Sequence, residues 1–241
     1  WPESNAIYLK CKIAKFHYRL HDIKLIKKFN NIDEYLLYCL DNVVNLSREL
    51  YPTYFGDWRG NNVAIGHQAL QNQSGSSGIN ADNTAIGASA GEDVTTATRL
   101  TLVGSSAGKD ITTGGYSTMV GWRSGYNTTT GTSNTFLGNY AGYTNLTGYS
   151  NTAVGASSFY YNSTGYESVA VGLNAGHMFG RGSHTPKHSV FVGNNSGYYA
   201  TGSYNTFVGF EAGKGGTTSA PYSSGQNNVA LGYEALKGFT T

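Results

Sequence analysis

Apolar residues follow two different patterns along this chain, and the change comes near residues 52–61. In the first region Ile32, Leu36, Cys39, Val43, Leu46 and Leu50 are spaced 4, 3, 4, 3, 4, the seam of an amphipathic helix. Asn31 suits its N-cap, Asp33 and Glu34 suit the first turn where the helix dipole favours anions, and Pro52 stops it. Upstream, Leu9, Ile13, Phe16, Leu20 and Ile23 repeat the spacing and predict a second helix, although Ile7, Leu9, Cys11 and Ile13 also alternate as a strand would. Seams this short fit a coiled coil and the core face of a small helical bundle equally well.

Beyond this region the period changes. Asn83-Thr-Ala-Ile-Gly-Ala-Ser-Ala-Gly91 recurs as Asn134-Thr-Phe-Leu-Gly-Asn-Tyr-Ala-Gly142 and as Asn205-Thr-Phe-Val-Gly-Phe-Glu-Ala-Gly213. Weaker copies fill the gaps. Their central glycines are Gly66, Gly87, Gly104, Gly121, Gly138, Gly155, Gly172, Gly193, Gly209 and Gly232; five consecutive intervals equal 17 residues and the others are 21, 21, 16 and 23. Ten short strands separated by glycine turns predict a mainly β chain, a parallel β-solenoid (β-roll) of about ten coils. At roughly 4.8 Å per coil the rod is on the order of 50 Å long. The expected division is 1–58, a helical anchoring or coiled-coil segment, and 59–241, the repeat shaft.

The residue before each glycine is aliphatic: Ile65, Ile86, Val103, Val120, Leu137, Val154, Val171, Val192, Val208 and Leu231. Two residues earlier comes Thr or Val in every copy, so these pairs are expected to point into the coil as its core. Three residues after the glycine only Ala or Ser occurs, which lets backbones approach inside a narrow solenoid. Asn at the strand entry is expected to stack from coil to coil, and glycines such as Gly131, Gly148, Gly202 and Gly225 to mark an outer turn. Insertions fall between copies, at 72–80, 179–188 and 214–224, and are expected to project as loops.

The residue between the two inward positions is also apolar in every copy, with Leu102, Met119, Phe136, Phe191 and Phe207 the bulkiest. A strand apolar on both faces needs a second burial partner. These residues are therefore expected to form the interface of a parallel homo-oligomer, read as a homotrimer, with dimer and monomer left open.

Asn151-Thr-Ala-Val-Gly155 and Ser168-Val-Ala-Val-Gly172 resemble the head repeat of trimeric autotransporter adhesins and related repeats of bacteriophage tail fibres. The resemblance spans about residues 62–236 and implies a trimeric β-roll that serves as an attachment rod on a virion or extracellular cell surface. The period here, mostly 17, is longer than that of adhesin heads.

Composition narrows the chemistry. The chain has 33 Gly and 19 Tyr among 241 residues but only 12% charged residues, and a net charge of +2 argues against a nucleic-acid partner. The basic run Lys10, Lys12, Lys15, Arg19, Lys24, Lys27 and Lys28 reads as a solvated face. Cys11 and Cys39, the two cysteines, predict buried thiols rather than a disulfide framework. No apolar run is long enough to span a bilayer.

His17 with His21, and His184 with His188, lack a third ligand in sequence, so neither a metal nor another cofactor is expected. Asp82, Glu92, Asp93, Asp110, Glu167, Glu211 and Glu234 are scattered over different coils, and a non-catalytic protein is the expectation. Trp122, Tyr140, Tyr143, Tyr198 and Tyr199 fall in turns, as ligand-facing rings for a surface glycan or protein receptor or as structural stacks between coils. The leading expectation is a fibre or adhesin shaft that meets other fibre or virion proteins through residues 1–58. The alternative is a monomeric module that binds polysaccharide or ice on a flat Thr-rich face.

Overall fold

The computed structural model describes residues 61–74, 81–181, 185–216 and 223–240. The expectations for residues 1–58, including both helices, the cysteines, the basic run and the boundary at 58, lie outside the described residues, as does His184. Each copy of the repeat forms one three-residue strand. In chain order these are β1 (Val63–Ile65), β2 (Thr84–Ile86), β3 (Thr101–Val103), β4 (Thr118–Val120), β5 (Thr135–Leu137), β6 (Thr152–Val154), β7 (Val169–Val171), β8 (Val190–Val192), β9 (Thr206–Val208) and β10 (Val229–Leu231). They pair in sequence order into one parallel ten-stranded sheet, a β-solenoid.

Equivalent residues of successive coils face one another. Thr118 pairs with Thr135 and Thr135 with Thr152; Met119 pairs with Phe136 and Phe136 with Ala153. The glycine closing each strand has φ between +121° and +137°, a conformation that side chains with a Cβ rarely adopt. It bends the chain out of the strand. A Cβ on Gly138 would lie 2.7 Å from the carbonyl oxygen of Gly155 in the next coil, so this glycine also sets how closely coils stack.

The two faces of the strand are the reverse of the sequence expectation. Leu102, Met119, Phe136, Phe191 and Phe207, expected at an oligomer interface, are fully buried inside the coil of a single chain. The expected core residues Ile65, Ile86, Val103, Val120, Leu137, Val154, Val171, Val192, Val208 and Leu231 lie on the outside, half-buried to exposed; Ile65 is 56% and Leu231 77% exposed. Alternation along three residues permits either one side chain inward or two. A coil this narrow takes one.

The interior is closed opposite the strand by the small residues three positions after the glycine, among them Ala90, Ala107, Ser124, Ala141 and Ala175, all buried as expected. What fills a coil depends on two positions six residues apart. Where the strand centre is bulky, as at Leu102, Met119, Phe136, Phe191 and Phe207, the partner position is Gly108, Gly125, Gly142, Gly197 or Gly213. Where it is Ala64 or Ala153, the partner is the buried Leu70 or Phe159, whereas at Ala85 with Gly91 and Ala170 with Gly176 both positions are small and residues further along the chain fill the space. A Cβ on Gly142 would sit 2.4 Å from the ring of Phe136, which explains the exclusion. Around Ala153 and Ala170 the void is taken by Phe159 and Phe179, stacked 5.1 Å apart and set edge-on to Phe191.

Strand entry carries the expected polar ladder. Asn134 Oδ1 accepts the backbone N–H of Asn151 at 3.0 Å, Asn151 Oδ1 that of Ser168 at 3.2 Å, and Ser168 Oγ that of Ser189 at 3.1 Å. The Asn134 amide donates to Gly148 O and the Asn151 amide to Gly165 O, which satisfies the buried side chains. Gly131, Gly148, Gly202 and Gly225 are buried rather than on an outer turn: a Cβ on Gly131 would lie 2.4 Å from Gly148 O.

Candidate functional site

Two surfaces of the solenoid carry side chains that its core does not use. The first is the outer face of the sheet. It presents one column of Val63, Thr84, Thr101, Thr118, Thr135, Thr152, Val169, Val190, Thr206 and Val229, and beside it the aliphatic column that precedes the glycines. Backbone hydrogen bonds between coils hold both columns in register: Thr118 N–H donates to Asn134 O and Thr135 N–H to Asn151 O, each at 2.8 Å. The face is uncharged and rich in β-branched residues. Its length is on the order of 45 Å.

The second surface lies past the glycine bend. Five residues after the glycine, Tyr126, Tyr143, Tyr160, His177 and Tyr198 stack in one column with ring centroids 5.4, 4.9, 5.0 and 4.7 Å apart and planes within 21° of parallel. Of the ring residues singled out by sequence, Tyr143 and Tyr198 belong to this column. Tyr140 lies edge-on to Tyr143 at 5.3 Å, Trp122 edge-on to Tyr140 at 4.7 Å, and Tyr199 edge-on to Tyr198 at 4.5 Å. Rings stacked this way cover one another's faces and leave edges outward, so the column itself is a ladder between coils. Trp122, 43% exposed, stands at its margin.

A shorter stack occupies another corner. Tyr149 lies 4.7 Å from Tyr166, and His188 lies 5.3 Å from Tyr204, with the Lys187 ammonium 5.6 Å from the Tyr166 ring and 5.9 Å from that of Tyr204. His188 Nδ1 approaches Glu167 Oε2 at 3.2 Å. In the long column burial, followed by the neighbouring Tyr143, Tyr161 and Tyr140, pushes the Tyr160 pKa up.

Burial, together with the nearby Arg181 charge, holds the His177 pKa below 6.5, although Nδ1 donates to Ser157 O at 3.2 Å. A histidine depressed in the fold contributes stability that is present above its unfolded pKa and lost as pH falls through the folded one. Between pH 7 and 5 the melting temperature of the native protein is therefore expected to fall more than that of His177→Phe, which keeps a ring in the stack. Equal slopes in thermal melts across that range would contradict the assignment.

Acidic residues converge more than their sequence positions suggest. Glu92, Asp93 and Asp110, from adjacent coils, surround Lys109 with Nζ–O distances of 3.8, 3.4 and 3.4 Å. Burial works to lower the Lys109 pKa, but the charges of Asp93, Asp110 and Glu92 outweigh it and the value is raised. Towards the other end Glu211 accepts from Lys214 at 2.6 Å and pairs with Lys237 at 2.7 Å, which hold its carboxyl down at about 2. These carboxylates are engaged by lysines.

Arg123 is the residue that sequence reasoning passed over. Its guanidinium lies 5.0 Å from the Trp122 ring and 5.3 Å from that of Tyr126, and among the described residues it makes no ion pair. The available signal was a cation directly following the array's lone exposed tryptophan position.

Among the described residues no group of three or more His, Cys, Asp or Glu could hold a metal ion, and no helix is long and apolar enough to cross a membrane. No protein-family model matches the sequence, and comparisons with curated proteins and with solved structures give no match.

Proposed function

We propose that the chain is a non-catalytic shaft of an attachment fibre, built from three parallel copies that pack their outer sheet faces around a common axis. The observation that carries this reading is the twin column of β-branched and aliphatic residues left on the outside of a single solenoid. A continuous apolar stripe of this length exceeds what a solitary soluble protein ordinarily exposes. The case for association thus rests on Val120, Leu137 and Val154 and their equivalents, the opposite face from the one the sequence suggested. The resemblance of the repeat to adhesin heads and tail-fibre repeats supports three copies, a virion or extracellular cell surface, and attachment to a glycan or protein receptor. Residues 1–58 would join the shaft to other fibre or virion proteins.

A second reading has an observation of its own. Thr84, Thr101, Thr118, Thr135 and Thr152 form an unbroken hydroxyl column beside aliphatic side chains, a regular array suited to polysaccharide or ice on a monomer.

Light scattering on the chromatographed protein separates the two. The fibre reading expects about three times 25.7 kDa. It also expects the double variant Leu137→Lys, Val154→Lys to run as a monomer with unchanged circular dichroism. A monomeric native protein sinks it, and thermal hysteresis in that monomer would establish the ice-binding alternative.

A further inference from the structure

We infer that Trp122, Arg123 and Tyr140 form a binding site for a carboxylate-bearing sugar of an acidic polysaccharide. The inference concerns one coil surface of one chain and does not depend on how many chains associate.

Three observations converge on it. The Arg123 guanidinium is covered by the Trp122 and Tyr126 rings, and its Nε is buried with no hydrogen-bond acceptor in reach. A buried N–H ordinarily has an acceptor. Here the carboxylates of the neighbouring coils are drawn to Lys109 instead. The guanidinium is therefore a partly exposed cation, anchored over two rings, whose planar fork has the geometry to take a carboxylate.

Trp122 supplies the second element. It stands 43% exposed beside that fork, with Tyr140 against its edge at 4.7 Å, so an indole is presented next to the charge. A sugar ring offers C–H bonds to an aromatic face and hydroxyls around its rim. The coil hydrogen bonds place polar groups for that rim: Arg123 N–H donates to Ser105 O at 3.0 Å and Tyr140 N–H to Trp122 O at 3.0 Å, which set Ser105 one coil below Trp122 and Asn139 one coil above. Both are exposed. A carboxylate, a pyranose ring and flanking hydroxyls are the features of a uronic or sialic acid unit.

The aromatic column explains why the site is confined to these coils. From Tyr143 to Tyr198 ring faces are occupied by one another. At the corresponding position of the next coil up Arg123 is replaced by Tyr140, and of the one after by Ser157, so no second fork lies beside them.

The test uses the full chain and two acidic probes, oligogalacturonate and oligosialate, titrated calorimetrically, with methyl-esterified oligogalacturonate as the uncharged control. Native protein is expected to bind at least one acidic probe, with affinity that falls as salt is raised. Methyl esterification of a bound oligogalacturonate, or Arg123→Gln for either probe, is expected to weaken binding at least about tenfold, the loss of one charge-assisted pair. Arg123→Lys, which keeps charge and loses the fork, should fall between. The esterification comparison uses unaltered protein, so a misfolded variant does not remove the test when oligogalacturonate binds. Two acidic probes that fail to bind the native protein, or a bound probe indifferent to Arg123→Gln in a folded variant, would overturn the site. Which acidic probe binds tells uronate from sialate.

Discussion

Replacing Phe191 with alanine is expected to remove about 3–5 kcal/mol of stability, the range for emptying a buried aromatic position. The ring is fully buried and touches Phe159, Phe179 and Phe207 at centroid distances of 6.1, 5.2 and 5.7 Å, so its loss opens a void against three neighbouring side chains. Collapse cannot close that void, because Gly197 has no side chain to lend and the backbone stacks above and below are fixed. The readout is the denaturant midpoint measured over a range of protein concentrations. A core residue shifts the midpoint equally at every concentration, whereas an interface residue shifts it through association and so depends on concentration. Val192→Ala, one position on and on the outer face, provides the contrast and is expected to act chiefly through association. A concentration-dependent loss for Phe191→Ala alone would restore the interface role that the sequence suggested.

The second large effect is expected at Gly193. Alanine there must hold φ near +130°, and its Cβ would lie 2.3 Å from the carbonyl oxygen of Gly209. The conformational strain alone is about 1–3 kcal/mol. Forcing the coils apart adds about 1–3 kcal/mol more and stretches the bonds from Gly193 N–H to Val171 O and from Gly209 N–H to Val192 O, both 2.8 Å. Gly232→Ala separates the two causes. Gly232 has φ +121° but nothing within 4 Å of the added Cβ, so only the strain applies. Thermal melts of the pair should therefore show a much larger drop for Gly193→Ala. Equal drops would mean that coil spacing yields to an added methyl group and that the glycine is required for its backbone angle alone.

The repeat, the position of each strand, the role of the central glycine and the Asn ladder were legible in the sequence because each recurs at a constant offset. The direction of the strand was not. A three-residue strand of a β-branched residue followed by two apolar ones satisfies alternation either way, and the aliphatic constancy at Val103, Val120 and Val154 reads by itself as the mark of a core. The information that decides the matter lay six residues further on. Phe136 with Gly142, against Ala153 with Phe159, is a trade of volume that only residues sharing one cavity need to make. The constant position, by contrast, faces outward.

The candidate sites were legible to a smaller degree. Columns form between residues one period apart, so Tyr126, Tyr143 and Tyr160 could be aligned from the glycines, as could His177 within them. The meeting of Glu92 and Asp93 with Asp110 on Lys109 follows from the same alignment. That Arg123 is left without a carboxylate does not follow, because it depends on which lysine the carboxylates turn towards.

Because strands pair only in chain order, the strand of each coil bonds only to those of the coil before it and the coil after it. Duplication or deletion of a whole coil leaves every remaining strand pairing of the same kind. Reach can therefore change during descent without a redesign of the sheet. Surface residues such as Trp122 and Arg123 can likewise be gained or discarded in one coil while the rest of the array keeps its form.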